Sequence, residues 1–273
     1  MTVANEGPQL RAVGLAAPDH DRFPFDVPAV RNLGRVELES AVTFLVGENG
    51  SGKSTLLEAL AIAVGLPAVG SDRTANDKTL SAQRDLARYV RLEWRGRRHR
   101  GFFLRAEDFF GFSARLRRQK REHAAELSRI DREMSDASEY ARGLVRGPHL
   151  ASIGAIESSY GAELDAQSHG ESFLALFQAR LVPGGLFLLD EPEAALSPQS
   201  QLAFLAMVKD TVDSGGQFII ATHSPILMAA PGAGILSFDM DPPSFVPFDE
   251  LEHVNLMRDF LANPERYLRH LWS

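Results

Sequence analysis

The sequence predicts an α/β fold, a mainly parallel sheet flanked by helices, and three stretches carry that prediction. "VTFLVGENGSGKSTLLEALAIAV" passes from a β-branched and aromatic run through a glycine-rich turn into a helical run. "GGLFLLDEPEAALSP" and "GQFIIATHSP" are continuous apolar runs that close on acids and on a polar turn. Buried parallel strands read this way when their carboxyl ends face a common site.

Taken in order, the first strand covers Val42 to Val46 and its helix runs from about Lys53 to Val64. A polar loop follows Pro67 to about Leu80. "YVRLEWR" and "RGFFLRAEDF" have strand-like lengths and patterns, so Tyr89 to Phe109 is expected to extend the sheet. Ser113 to Met134 interleaves acids and bases among helix formers and reads as a solvated helix of a few turns. Gly143 to Gly161 reads as irregular because Gly and Pro interrupt it. A second helix starts at about Glu171, and "QSQLAFLAMVKDTVDSG" is an amphipathic helix closed by glycine. The last stretch is expected to be helical and to bury Leu251, Val254, Phe260, Leu268 and Trp272. The expected organisation is one domain over 1–273. Its core lobe comprises 1–110 and 178–248, with a helical subdomain at 111–177 and a helical C-terminal segment at 249–273.

Composition narrows the function classes. With 273 residues and 44% hydrophobic content the chain can fill a core of its own. The absence of cysteine excludes disulfides, thiolate metal sites and cysteine nucleophiles, and the eight histidines are not spaced as ligand pairs on a helix face. No apolar run is long enough to span a bilayer and the first residues lack a signal-peptide pattern, so a cytoplasmic protein without membrane insertion is expected. The net charge is −7, yet Arg91 to Arg121 holds eleven Lys or Arg against three acids. That stretch can face solvent or touch phosphates.

Gly47-Glu48-Asn49-Gly50-Ser51-Gly52-Lys53-Ser54 matches G-x-x-x-x-G-K-[ST] between a predicted strand and a predicted helix, and Thr55 continues it. Its backbone N–H groups and helix N-terminus would cradle phosphates, with Lys53 on the β- and γ-phosphates and the Ser54 hydroxyl on Mg²⁺. Asp190, ending the strand "LFLLD", is placed to serve the same cation. Glu191 follows it, and adjacent side chains at a strand end diverge, so one acid can serve the metal while the next polarises water. His223 closes the third strand, within reach of a γ-phosphate at the shared strand ends.

Together these motifs resemble the ATP-binding cassette (ABC) class of P-loop ATPases, with Lys53, Glu191 and His223 in its catalytic positions. In that class a helical subdomain carries a signature sequence ahead of the acid-ended strand, and "QSHGE" stands there. The resemblance implies that Ser168, Gly170 and Glu171 read the γ-phosphate held by a second subunit, with His169 in place of the pattern's first glycine and Glu171 in place of its glutamine. Glu193 to Pro198 matches the loop that crosses the family's dimer interface, with Ser197 where aspartate is common. The family's glutamine-bearing lid loop would follow "GFFLRA", where Glu107 and Asp108 stand and no glutamine does. The chain looks most similar to the soluble SMC and RecF-like group, and within it to small stand-alone bacterial ATPases with a THSP switch. The resemblance implies ATP and Mg²⁺ as ligands, an ATP-dependent homodimer, and action on DNA or on a DNA-processing partner. Two alternatives are a transporter's nucleotide-binding subunit and an ATP-binding regulatory or defence module with little turnover. For the adenine base, Phe23, Phe25 and Arg31 are all available to stack.

Overall fold

The computed structural model describes residues 8–16, 21–69, 81–96, 100–160, 169–269 and 271–272. The amino-terminal half supplies β1 (Leu10–Leu15), α1 (Pro28–Arg31), β2 (Arg35–Glu37), β3 (Val42–Val46), α2 (Lys53–Val64), α3 (Ser81–Ala87), β4 (Val90–Trp94) and β5 (Gly101–Arg105). Two long helices follow, α4 (Ala106–Glu133) and α5 (Glu139–Tyr160), and then α6 (His169–Arg180). The rest alternates as β6 (Leu186–Asp190), α7 (Pro198–Asp213), β7 (Gln217–Ala221), α8 (Pro225–Met228), β8 (Gly234–Ser237) and β9 (Ser244–Phe245), and ends in α9 (Glu252–Ala262) and α10 (Pro264–Leu268).

A six-stranded sheet in the order β5-β6-β7-β3-β8-β9 forms the centre, parallel except for β9. Its strands are apolar on both faces because both faces are covered. Phe44 and Val46 of β3, Phe187 and Leu189 of β6, and Phe218 and Ile220 of β7 point into one core. Leu45, Leu188 and Ile219, one residue out of phase, point into the other. The first core is built from aromatic edges: Phe173 and Phe177 of α6 meet Phe109, Phe102 and Phe204 at centroid separations of 4.9, 5.5 and 5.0 Å. The second core lies beneath α2 and a separate antiparallel sheet, β2-β1-β4. The side-chain amide of the fully buried Gln217 joins the two sheets, accepting from Leu10 N at 2.9 Å and donating to Leu10 O at 2.9 Å.

The strand and helix around the glycine-rich turn lie where the sequence places them, over Val42–Val46 and Lys53–Val64. Tyr89 to Phe109 does not extend one sheet. β4 joins the small sheet, β5 joins the large one, and the chain turns helical at Ala106. Gly101 makes the entry to β5 possible: at φ +143 a Cβ there would sit 1.7 Å from the Leu186 carbonyl oxygen. The helix expected to span a few turns is 28 residues long, about 40 Å.

The stretch expected to be irregular is helix α5, and its glycines and Pro148 lie inside it. Tertiary pairing overrides their poor propensity. α5 packs against α4 through Lys120–Glu157 at 2.9 Å, Arg146–Asp131 at 3.0 Å and the imidazoles of His123 and His149, whose Nδ1 atoms are 3.0 Å apart. The carbonyl that Pro148 leaves without an intrahelical donor belongs to exposed Leu144, where water can serve it. At the C-terminus Leu251 and Val254 are buried, Phe260 and Leu268 are half-buried, and Trp272 is 81% exposed rather than packed inward. The loop expected up to Leu80 lies, over 70–80, outside the described residues. No helix among the described residues is long and apolar enough to cross a membrane.

Candidate nucleotide site

β3 is flanked by β7 and β8, so the turn that follows it emerges among the carboxyl ends of several parallel strands. The backbone doubles back sharply there, with Gly47, Gly50 and Gly52 all at positive φ. At Gly52 space matters as well as conformation, because a Cβ would stand 3.0 Å from Val27 and 3.2 Å from Val30 of α1. The turn delivers the N-terminus of α2, whose first N–H groups lack helical partners and carry the positive end of its dipole.

The turn, the start of α2, the segment ahead of α1 and the residue after β6 form a pocket lined by Phe23, Val27, Asn49, Gly50, Gly52, Lys53, Ser54, Thr55 and Glu191. Lys53 is buried and its Nζ donates to the carbonyls of Gly47 at 2.7 Å and Glu48 at 2.8 Å, and to Ser51 Oγ at 3.4 Å. Burial lowers the Lys53 ammonium from its ordinary range, against the pull of Asp239, Glu191, Asp190 and Glu193. The Glu48 N–H is bonded to Asp239 Oδ1 at 2.7 Å, and the Glu48 side chain is exposed.

Ser54 and Asp190 meet as the sequence predicts: Ser54 Oγ donates to Asp190 Oδ1 at 3.0 Å. Asp190 is 9% exposed, and burial pushes its carboxyl up to about 7. The Ser54 hydroxyl and Arg105 oppose that rise, while Glu58 and Glu191 add to it. A hydroxyl and a buried carboxylate short of positive charge form a hard oxygen donor pair, which fits Mg²⁺ completed by phosphates and water. Among the described residues no group of three His, Cys, Asp or Glu could hold a metal, so a cation here depends on the nucleotide for its other ligands.

Glu191 sits at φ 50, the one positive-φ residue other than glycine among the described residues, and its N–H donates to Ala221 O at 2.9 Å. The side chain lines the pocket while Asp190 stays on the sheet, the divergence expected of neighbours at a strand end. His223 is exposed two residues beyond β7 and does not line the pocket, and its N–H donates to Glu193 Oε1 at 2.6 Å. Thr222 and Ser224 beside it are buried.

Several residues at the site were not legible in the sequence. Arg105 stands opposite Asp190 in the β5–β6 register, donates to Glu58 Oε1 at 3.0 Å, and grips Asp108 with two bonds of 2.8 and 3.0 Å. Part of the basic stretch is therefore a poorly exposed brace, and after β5, where a glutamine-bearing loop is expected, the chain turns directly into α4 with Glu107 and Asp108 in its first turn. Asp239 closes over the turn from the end of β8, and its signal was present in "SFDMD", acids at the end of a short apolar run. His253 of α9 places a buried Nε2 without a hydrogen-bond partner close enough to feel Lys53 and His223.

Phe25 is buried edge-on against Tyr89, and Arg31 is bonded to Asp21 and to the Phe25 carbonyl. Phe23, 54% exposed on the pocket wall, is left as the aromatic able to stack on a base. In the signature stretch Gly170 is buried, where a Cβ would meet Ser200 Oγ at 3.2 Å and Ala195 O at 3.4 Å, and Glu171 is exposed. Neither lines the pocket of its own chain, and Ser168 lies outside the described residues.

Comparison with known proteins gives matching signals on both sides of the site. Residues 28–141 match the family described as AAA domain, and residues 172–229 match the family described as AAA domain, putative AbiEii toxin, Type IV TA system. The cytochrome c biogenesis ATP-binding export protein CcmA of Rhodopseudomonas palustris (strain HaA2) is 38% identical over 80 residues, 28% of this chain and 40% of that protein. The brefeldin A resistance protein of Schizosaccharomyces pombe is 25% identical over 185 residues, 67% of this chain and 11% of that protein. The chain thus spans about two-fifths of the first relative's length and far less of the second. Among solved structures, the ADP conformation of MJ1267, an ATP-binding cassette of an ABC transporter, is 15% identical and superposes with a TM-score of 0.45, covering 97% of this chain and 99% of that one. The SMC head domain from Thermotoga maritima is 16% identical with a TM-score of 0.39, covering 88% and 98%. A phosphate-type loop on the central strand of a parallel sheet, bonded to the acid-ended strand two places away, thus lies in a stretch that matches the AAA-domain family over residues 28–141, and the two together mark a candidate nucleotide site.

Proposed function

We propose that the chain binds ATP with Mg²⁺, hydrolyses it, and closes as a homodimer around two nucleotides. The observation that carries the reading is the Ser54–Asp190 bond with Glu191 on the wall of the same pocket, which sets the phosphate loop beside a base. Ser54 and Asp190 are the residues that would hold Mg²⁺, which supplies positive charge against the phosphate oxygens. Lys53, now spending its donors on loop carbonyls, has better acceptors in the charged β- and γ-phosphates. Glu191 takes a proton from the water whose oxygen attacks the γ-phosphorus, and the bridging oxygen leaves with ADP. His223, carried on the neighbouring strand end, would donate to a γ-phosphate oxygen. Phe23 would stack on the base.

Dimerisation is supported by the resemblance of "SHGE" to a signature sequence and by the separation of Gly170 and Glu171 from the pocket of their own chain. A DNA target is supported by the basic run Arg115 to Arg121 on α4, part of the helical hairpin. The name of one relative, an ATP-binding export protein, favours a transporter-subunit reading instead.

ATP turnover by the wild-type chain against Lys53→Ala tests the reading. Wild-type hydrolysis with binding and turnover lost in Lys53→Ala is the expected result. Equal nucleotide affinity in the two would remove the phosphate-loop assignment.

A further inference from the structure

We infer that Glu193 is a positioning residue that fastens the strand end carrying His223 to the turn carrying Glu191, so that base and switch move as one unit. The inference rests on the hydrolytic reading above and adds a residue to it. Glu193 lies in the 3-10 turn Pro192–Ala195, two residues past Glu191, and its Oε1 accepts the His223 N–H at 2.6 Å. A charge-assisted bond of this length is among the stronger ones available to a loop.

Other bonds tie the same two segments from behind. Glu191 N donates to Ala221 O at 2.9 Å, and Ser224 Oγ donates to Gln201, whose amide donates to Leu196 O at 3.2 Å. Those links involve buried groups at the rear of the turn. The Glu193 bond is the one made to His223 itself, an exposed residue whose direction the reaction depends on.

Two features argue that Glu193 does more than cap a loop. Glu191 holds a left-handed conformation that a non-glycine residue keeps only when its surroundings over-determine it, and Glu193 belongs to those surroundings. The second Glu193 oxygen, Oε2, is buried without a hydrogen-bond partner. An unsatisfied buried carboxylate oxygen is costly, and a smaller polar residue would avoid it in a turn with no further task. The carboxylate also stands close enough to Lys53 to favour its charge.

The test uses the full chain and two readouts. Amide hydrogen exchange at His223 should be protected in wild type, largely kept in Glu193→Gln, whose carbonyl oxygen still accepts, and lost in Glu193→Ala. This readout needs no turnover. In steady-state ATP hydrolysis, Glu193→Ala should lower kcat by up to about 10²-fold, the scale of misplacing a reacting group, with ATP affinity unchanged. In a His223→Ala background the same change should lower kcat less than about twofold, because two residues acting through one contact are not additive. Unchanged His223 exchange in Glu193→Ala would overturn the brace, and so would losses that multiply in the double variant. Wild-type turnover no greater than that of Lys53→Ala would instead overturn the hydrolytic reading, and with it the catalytic sense of the brace, whatever the exchange shows.

Discussion

The Ser54 hydroxyl and the Asp190 carboxylate, 136 residues apart in sequence, meet at 3.0 Å. β3 and β6 are separated in the sheet by β7 alone, and that order brings the start of α2 to the end of β6. Asp190 is buried with Glu58 and Glu191 as neighbours, so a cation at this pair would relieve an electrostatic deficit that the fold already holds.

Glu191→Gln removes the base and keeps the shape. Nucleotide affinity should be retained while turnover falls about 10²-fold or more, the scale of a general base. Single-turnover hydrolysis with tight-bound ATP checks it, and undiminished turnover would assign the proton to another group.

Phe23 offers an exposed ring beside the phosphate loop, whereas Phe25 is packed against Tyr89. Phe23→Ala should weaken ATP binding by about 1–2 kcal/mol, the range of base–aromatic stacking, with inorganic triphosphate affinity unchanged. Calorimetric titration of both ligands separates base recognition from phosphate recognition.

Arg105 neutralises Glu58 and Asp108 in a poorly exposed cluster, with side-chain exposures of 12%, 9% and 19% for the three. Arg105→Ala leaves Glu58, whose carboxyl burial already pushes up, without its counter-charge. The expected loss is about 3 kcal/mol in denaturant unfolding, as for other buried pairs broken on one side. A loss below about 1 kcal/mol would place the pair with ordinary surface bridges.

Burial lowers the pKa of His253 from its ordinary 6.5, and the positive charges of His223 and Lys53 lower it further, against Asp239. The unfolded chain therefore binds a proton that the folded chain resists as pH falls through 6.5, so this group subtracts stability on the acid side. His253→Gln should remove that share. Urea midpoints measured at pH 7.5 and 5.5 are expected to fall less in the variant than in wild type, and equal falls would show that His253 carries none of the acid sensitivity.

Much of the site was legible because its chemistry is local in sequence. A fixed-spacing loop between a strand and a helix needs little tertiary information, and Asp190 and Glu191 announce themselves as acids closing an apolar run. The second arm of the helical hairpin was not legible, because Gly143, Gly147 and Pro148 argue against a helix that only its pairing with α4 stabilises. Arg105 was absorbed into a basic stretch, since its acidic partners come from α2 and from the first turn of α4, and no charge count along the chain reveals them. Strand β8 was missed because "GILS" is too short for its period to be read, and Asp239 was missed with it.

A nucleotide-dependent sandwich of two chains doubles the solution mass, and Glu191→Gln holds the ATP state long enough to weigh it. Light scattering should give a dimer with Mg-ATP and a monomer with Mg-ADP, and Ser168→Arg added to that variant should abolish the dimer while nucleotide binding persists. A monomer under both nucleotides, or a dimer that ignores which is bound, would contradict the sandwich.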